Sequence, residues 1–160
     1  MSKNSKPIVI VAGDPKSIFL EIFFKSLKRK KFRNPIILIV NKKLLFQQMK
    51  DLSYNFQVNK LNEKYINFDN LNNNKINFID IPFNKEKVAN YINQSFEIAL
   101  FLIKKNYKIN LINGPINKKK ILKQKFLGIT EYLDFKTKSH GKAVMLIYNK
   151  RLSVSPLTTH

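Results

Sequence analysis

Two uninterrupted apolar runs near the start of the chain restrict its fold more than any other feature. They are PIVIVA at residues 7–12 and PIILIV at residues 35–40, and both are rich in β-branched side chains. A strand without polar alternation is buried on both faces, which is typical of a parallel sheet covered by helices. Between the runs, Ile18, Ile22 and Leu27 recur at helical spacing. The sequence therefore predicts an α/β fold, with a mostly parallel sheet and helices on both faces.

The rest of the chain continues this alternation of strands and helices. Residues 43–49 predict a second helix. Residues 85–106 predict the clearest one, because apolar side chains recur there every three or four positions, at Val88, Ile92, Phe96, Ala99 and Ile103. A short strand is expected near Tyr54, Phe56 and Val58, and further strands are expected at residues 76–81, 108–112, 142–148 and 151–157. The last two strands are separated by only two residues and predict a hairpin.

Length and composition limit the class of protein. The 160 residues, 44% of them hydrophobic, are enough to bury one core, so one domain is expected. Cysteine is absent, which excludes disulfides, thiolate zinc sites and a cysteine nucleophile. The apolar run at residues 7–12 is too short for a signal peptide or a membrane span. We therefore expect a soluble cytoplasmic protein with no membrane partner.

The chain is strongly basic, with 30 Lys and Arg against 10 Asp and Glu and a formal charge of +20. Such a charge by itself favours a nucleic-acid or other polyanionic partner. Lysine, however, occurs together with Asn, Ile and Phe, as in NNNKINF at residues 72–78. These residue types share codons made only of A and T, so a biased genome enriches them without any binding function. Nucleic acid is therefore an unlikely partner, and a basic RNA- or polyanion-binding module is kept as an alternative.

Polar turns follow two of the predicted strands. After the first strand, GDPKS lacks the second glycine of a dinucleotide-binding loop. It predicts a strand-to-helix turn in which Gly13 supplies an unusual φ and Asp14 or Ser17 caps the helix. After the fourth long strand, NGPINK either presents Lys118 and a helix N-terminus to a phosphate or is a Gly-Pro turn with a solvated lysine.

Other candidate site residues lie in the last third of the chain. Thr130 either offers its hydroxyl to a substrate or caps a short helix. His160 is suited to bind a metal through a neutral imidazole, although a catalytic metal generally needs about three protein ligands. His140 lies in a polar loop, and we expect no role for it. Four further carboxylates are interpreted as surface or capping groups: Asp80, Glu86, Glu97 and Asp134.

Four motifs in this order, GDPxxIxxEI, INGPINK, LGITEYL and LSVSPLTTH, resemble the N-terminal half of the 4-hydroxythreonine-4-phosphate dehydrogenases of pyridoxal phosphate biosynthesis. The family's first turn is approximately G-[DE]-P-[AS]-G-I-G-P-E, and this chain matches it at Gly13, Asp14, Pro15, Ile18 and Glu21. Three other residues, Ser17, Phe19 and Leu20, replace its later glycines and its proline.

The other three motifs match more closely. T-G-P-[IV]-x-K is matched at Gly114, Pro115, Ile116 and Lys118, with Asn113 for the threonine. G-H-T-E is matched at Gly128, Thr130 and Glu131, but Ile129 replaces a histidine that contacts substrate in the family. T-T-H is intact at residues 158–160. Because isoleucine cannot hydrogen-bond or titrate, the resemblance leaves open a related dehydrogenase that acts on another phosphorylated hydroxy acid.

The resemblance implies NAD-dependent oxidation, with decarboxylation, of 4-phosphohydroxy-L-threonine to 3-amino-2-oxopropyl phosphate. It implies that Thr130 binds substrate and that His160 is the first of three ligands to a divalent metal (Zn, Mg or Co), which would polarise the substrate hydroxyl. The catalytic residues, the other metal ligands and most NAD contacts would lie downstream of residue 160.

The same resemblance implies the organisation of the protein. Residues 1–160 would be the N-terminal portion of an isocitrate/isopropylmalate dehydrogenase-like fold, truncated, with the remainder absent. We expect this portion to be inactive alone, poorly soluble, and part of a homodimer when full length.

Overall fold

The computed structural model of the protein describes residues 6–71, 73–106, 108–118, 122 and 125–156. The chain divides into two compact units, Met1–Asn117 and Lys118–His160. The sequence predicts one domain because no long linker separates these parts. The boundary between the units lies between Asn117 and Lys118, after the last strand of the main sheet.

The first unit is built on a five-stranded parallel sheet. Its strands are β1 (Ile8–Val11), β2 (Ile36–Val40), β3 (Val58–Leu61), β4 (Ile76–Asp80) and β5 (Asn110–Asn113). Their spatial order is β3-β4-β2-β1-β5, and every neighbouring pair is parallel. All five residues of the central strand β2 are buried, as its unbroken apolar sequence predicts. The parallel sheet expected from the sequence is confirmed.

Three α-helices cover this sheet: α1 (Phe19–Arg29), α2 (Lys42–Asp51) and α3 (Val88–Lys105). Side chains alternate between the faces of a strand, so Ile10, Leu38 and Phe78 share one face. This face packs against α1 and α2 in one hydrophobic core that includes Phe24 and Leu45. Helix α3 lies outside that core and packs on β1 and β2, so it covers the opposite face. Helices on both faces are confirmed.

The apolar spacing of α3 is reproduced in its burial. Ile92, Phe96 and Ala99 are fully buried, while Val88 and Ile103, at the two ends of the spacing, are half-buried. The predicted helix begins later than expected, because Lys85–Lys87 forms a separate 3₁₀ turn. Asn84 opens this turn by accepting a hydrogen bond from Glu86 N at 2.8 Å. No described helix is both long and apolar enough to cross a membrane.

Tyr54 and Phe56, the aromatic pair before β3, pack against the hydrophobic core and are not part of the strand. The ring of Tyr54 lies 5.5 Å from that of Phe24, and the ring of Phe56 lies 5.7 Å from it. The two rings also stack on each other at 5.4 Å. The strand itself begins only at Val58.

One amide side chain fixes the start of β2. Asn73 Oδ1 accepts a hydrogen bond from Ile36 N at 2.9 Å, and Asn73 Nδ2 donates to Phe32 O at 2.8 Å and to Asn34 O at 2.7 Å. Three main-chain groups at the entry to the central strand are therefore paired by a residue 37 to 41 positions away.

The second unit contains α4 (Ile129–Thr137) and a two-stranded antiparallel hairpin of β6 (Ile147–Tyr148) and β7 (Ser153–Val154). The predicted hairpin is confirmed, but each of its strands has two residues where the sequence predicts seven. Asp134 ties the loop after α4 to the helix, because its carboxylate accepts hydrogen bonds from Gly141 N at 2.9 Å and Ala143 N at 3.2 Å.

Candidate functional site

The loops that leave β1 and β5 meet at the carboxyl edge of the sheet. Gly114 N donates to Val11 O at 2.7 Å, and Asp14 N donates to Pro115 O at 2.8 Å. Both loops are thereby fixed to one another by main-chain hydrogen bonds. In open α/β sheets, ligands bind outside this edge. The loops therefore define the candidate site of the first unit, and each contains a motif of the family that the sequence resembles.

Both loops need a glycine where they meet. Gly13 has a φ of +80°, and a Cβ at this position would collide with the carbonyl oxygen of Pro115. A Cβ at Gly114 would collide with the carbonyl of Ala12 and would lie 3.0 Å from the Phe19 ring. The permissive φ predicted for Gly13 is confirmed, and close backbone approach adds a requirement for glycine at both positions.

The side chains of the first loop brace its own turn. Asp14 Oδ1 accepts a hydrogen bond from Lys16 N at 2.9 Å, and Asp14 O accepts one from Ser17 N at 2.9 Å. Ser17 Oγ accepts from Phe19 N, the first residue of α1, at 3.4 Å. The N-cap residue is Ile18, so the predicted capping by Asp14 or Ser17 is replaced by bonds within the turn and one weak bond to the helix.

The second loop leaves β5 with an exposed polar side. Asn113 and Asn117 are exposed on either side of the buried Gly114. Asn113 Nδ2 donates to Gly114 O at 3.2 Å, which orients the amide along the turn. The helix expected after this turn, with Lys119 and Lys120, falls mostly outside the described residues.

Asp80 is a second polar group at the carboxyl edge, at the end of β4. Its Oδ1 accepts a hydrogen bond from Lys42 N at 2.8 Å, and its Oδ2 pairs with Lys60 Nζ at 2.9 Å. Burial raises the pKa of Asp80, but the hydrogen bonds from Lys60 and Lys42 outweigh that effect and hold the pKa below its ordinary value. The sequence predicts a surface or capping group at Asp80, and the hydrogen bond from Lys42 N at the start of α2 supports the capping alternative.

Asn41 and Tyr91 complete this edge and were not identified from the sequence. Asn41 Nδ2 donates to Ile81 O at 2.6 Å, and Asn41 Oδ1 accepts from Leu44 N as the N-cap of α2. Tyr91 Oη accepts from Asn41 N at 3.3 Å, and burial raises the pKa of Tyr91 to about 12. The position of Asn41 directly after a buried strand and before a helix is the signal that could have found it.

The candidate residues of the second unit centre on the start of α4. Gly128 is the N-cap of this helix and makes no side-chain cap, so the alternative in which Thr130 caps the helix is wrong. Thr130 lies half-buried inside the first turn, after Ile129 and before Glu131. His140 is exposed in the loop after α4 with a φ of +53°.

The predicted metal ligand His160 lies outside the described residues, together with Thr158 and Thr159. Among the residues that are described, no group of three or more His, Asp and Glu side chains is close enough to hold a metal ion. The described part of the chain therefore does not by itself fit a metal centre.

The first unit is an open parallel α/β structure with a candidate site formed by two joined loops at its carboxyl edge. The chain belongs to the family described as pyridoxal phosphate biosynthetic protein PdxA, whose model matches residues 31–160. The match begins after Gly13 and Asp14, so the loop after β1 lies outside it. No curated protein matches the chain.

Solved structures show the same fold. A 4-hydroxythreonine-4-phosphate dehydrogenase from Klebsiella pneumoniae superimposes with a TM-score of 0.73 at 20% identity, over 94% of this chain and 50% of that one. Its counterpart from Burkholderia phymatum gives a TM-score of 0.73 at 18% identity, over 96% of this chain and 49% of the other. The chain thus spans about half the length of the structures that it matches.

Proposed function

We propose that this chain forms part of a 4-hydroxythreonine-4-phosphate dehydrogenase, which oxidises and decarboxylates 4-phosphohydroxy-L-threonine to 3-amino-2-oxopropyl phosphate with NAD. The match of the family model to residues 31–160 is the observation that carries the proposal. The similarity in fold to two dehydrogenases that bear this name supports it. In that role, the enzyme is an oxidoreductase of pyridoxal phosphate biosynthesis.

Within this enzyme, the carboxyl edge of the first unit provides a rigid wall of the substrate site. Gly13 and Gly114 allow the two loops to approach closely, and the hydrogen bonds of Asp14 and Pro115 hold them together. A wall held by main-chain bonds needs little reorganisation when substrate binds, which favours precise positioning of the reacting groups. Lys16, exposed on the first loop, offers a cation to the phosphate.

Thr130 and His160 are assigned further roles in this proposal. Thr130 would bind substrate through its hydroxyl, and His160 would be one ligand of a divalent metal (Zn, Mg or Co). The other metal ligands and the catalytic residues are assigned to parts of the enzyme other than the described residues, which lack such a cluster. The metal, when bound, would stabilise negative charge on the substrate oxygen as hydride leaves.

The enzyme is proposed to act as a homodimer. The hairpin supports this, because five consecutive residues at and before β6, Val144, Met145, Leu146, Ile147 and Tyr148, have exposed fractions of 37% to 76%. Apolar side chains clustered in this way are typical of protein–protein contact surfaces.

Genetic complementation tests the proposed reaction. The gene, together with the DNA that follows its His160 codon, is placed in a bacterial strain that lacks 4-hydroxythreonine-4-phosphate dehydrogenase. We expect growth without added pyridoxine, and we expect residues 1–160 alone not to support growth. Thr130→Ala should reduce growth in the longer version, whereas Thr137→Ala, at the other end of α4, should not. Normal growth of Thr130→Ala would contradict the role of Thr130, and no growth with the longer version would contradict the proposed function.

Ile129 favours a second candidate, a dehydrogenase for a different phosphorylated hydroxy acid. It opens α4 where the family has a histidine that contacts substrate, and it is half-buried. Turnover of 4-phosphohydroxy-L-threonine by the purified longer protein, measured as NADH formation, separates the two. Ile129→His should improve turnover if the substrate is the family's own, and a protein that turns over only another phosphorylated hydroxy acid would establish the second candidate.

A further inference from the structure

A large cavity lies within the first unit, at the edge of the sheet opposite the candidate site. It has a volume of about 1640 Å³ and is bordered by Pro7, Pro35 and Lys75, which directly precede β1, β2 and β4. Small-molecule sites typically occupy about 300–1,000 Å³, so this cavity is large enough for a nucleotide-sized ligand. It lies entirely within the first unit, and the proposed dehydrogenase reaction does not use it.

Cations from separate segments converge on this cavity. Its described lining includes six of them, Lys6, Lys30, Lys31, Arg33, Lys75 and Lys108, and a single carboxylate, Asp69. Among the described residues, neither ion pair of the protein involves any of the six. Concentrating like charges around one opening is unfavourable, and a bound polyanion would relieve that repulsion.

The positions of these cations are not explained by composition or by helix ends alone. A bias towards lysine codons raises the number of lysines but does not direct them to one cavity. Lys30 and Lys31 follow the C-terminus of α1, where cations stabilise the helix dipole. Lys6 and Lys75 instead precede strands of the sheet, where no helix dipole accounts for them.

Aromatic rings and amides accompany the cations. Phe23, Phe32, Phe56 and Phe68 border the cavity, and Phe32 is 37% exposed. Asn34 Nδ2 donates to Lys6 O at 2.7 Å, so part of the wall is held in place by a hydrogen bond. Base–aromatic stacking together with cations that bind phosphate is the usual chemistry of nucleotide recognition.

We propose that this cavity binds a nucleoside polyphosphate, with its phosphates among the lysines and its base against Phe32. Such a site is separate from the substrate edge. The six cations line a single cavity, which favours a compact polyphosphate over an extended RNA strand.

Calorimetric titration of the purified chain in low salt, where charge repulsion opposes its association, tests the proposal with three probes: ATP, tripolyphosphate and adenosine. We expect ATP to bind more tightly than tripolyphosphate, and adenosine not to bind. The triple variant Lys30→Gln, Lys75→Gln, Lys108→Gln should weaken ATP binding by about tenfold, because each exposed ion pair contributes a modest factor. Phe32→Ala should weaken ATP binding but leave tripolyphosphate binding unchanged.

A matched control distinguishes binding of ATP in this cavity from non-specific attraction of ATP to the positively charged surface. Lys43→Gln, Lys50→Gln, Lys85→Gln removes the same number of exposed charges from elsewhere in the first unit and should leave ATP affinity within about twofold of wild type. Equal weakening by both triple variants would overturn the proposal, as would tripolyphosphate binding as tightly as ATP. Binding of an RNA oligonucleotide without binding of ATP would also overturn it. If the cavity triple variant does not fold, as judged by circular dichroism, Lys75→Gln alone is compared with Lys85→Gln by the same criteria.

Discussion

At the scale of single residues, the junction of the β1 and β5 loops leaves no room for a side chain at Gly13 or Gly114. A side chain at Gly114 meets main-chain atoms of Ala12, which cannot rotate away. The glycines of the two family motifs, Gly13 and Gly114, are therefore required in this chain for steric reasons, whether or not they contact a substrate.

Gly114→Ala should lower the free energy of unfolding by about 3 kcal/mol, because overpacking against the backbone forces the two loops apart. Urea denaturation followed by circular dichroism measures the loss. Gly141→Ala is the control: Gly141 has a φ of +77° but no atom within 4 Å of its Cβ position, so only backbone strain of about 1 kcal/mol is expected. Equal losses in the two variants would show that steric contact is not the cause.

Asp80→Asn should cost about 1–2 kcal/mol of stability at neutral pH, because it removes a charged acceptor from Lys60 and from Lys42 N. The pKa of Asp80 is lowered in the folded state, so its contribution is complete above the unfolded-state pKa and is lost as pH falls through the folded-state pKa. The difference between wild type and variant should therefore shrink below about pH 4. Urea midpoints measured across that range provide the check.

Glu21→Gln serves as the comparison for Asp80→Asn. Glu21 pairs with Lys25 at 2.5 Å one helical turn away, and both side chains are substantially exposed. Its loss should cost less than about 0.5 kcal/mol. A difference between wild type and Asp80→Asn that does not change with pH would contradict the assigned role of the Asp80 carboxylate.

At the scale of elements, the sequence predicts the buried parts of this fold well. The runs at residues 7–12 and 35–40 become central strands because β-branched side chains without polar alternation need cover on both faces. The apolar spacing of residues 88–103 predicts α3 for the same reason. In each case, the apolar residues are covered by other parts of the same chain. Their spacing in the sequence therefore predicts the strand or helix correctly.

The run KAVMLIY shows where this reasoning fails. It predicts a seven-residue strand, but only Ile147 and Tyr148 pair, and the run is exposed. Apolar composition indicates that a segment is to be covered, but it does not indicate which chain provides the cover. Asn41 escaped prediction for a different reason: its contacts to Ile81 and Tyr91 join residues 40 to 50 positions apart.

Replacing apolar residues of the hairpin should prevent dimer formation. We expect the longer protein with Leu146→Asp and Ile147→Asp to elute as a monomer, because two charges would be desolvated at the contact. Light scattering coupled to size-exclusion chromatography gives the mass. Ile18→Asp and Tyr65→Asp, also at exposed apolar positions but in the first unit, form the control pair and should leave the dimer intact. An unchanged mass in the hairpin variant would place the dimer contact elsewhere.

At the scale of the whole molecule, net charge and exposed sheet edges have opposite effects on the association of copies of the chain. A formal charge of +20 opposes association between copies. Among the described strands, β5 forms one edge of the parallel sheet, and its Ile112 is 46% exposed. An uncovered edge strand is a template for pairing with another chain.

We therefore expect the 160-residue chain to be poorly soluble, and more so in high salt, where charge repulsion is screened. Ile112→Lys should raise the fraction that stays in the supernatant after centrifugation, since a charged edge strand resists pairing. Tyr65→Lys adds the same charge at an exposed residue away from the strand and should have a smaller effect. Equal gains from both variants would attribute the effect to net charge alone.

The three hydrogen bonds of Asn73 have a consequence for how this chain can vary. The Asn73 side chain, in the segment before β4, pairs main-chain groups at the entry of β2, so a substitution of Asn73 would leave those groups without this partner. A circular permutant opened between residues 73 and 76 would detach Asn73 from β4 and leave it near a chain end, where its amide would hold the entry of the central strand less firmly. One opened in the exposed turn near Tyr65 would keep that connection, and the sheet could still assemble around it.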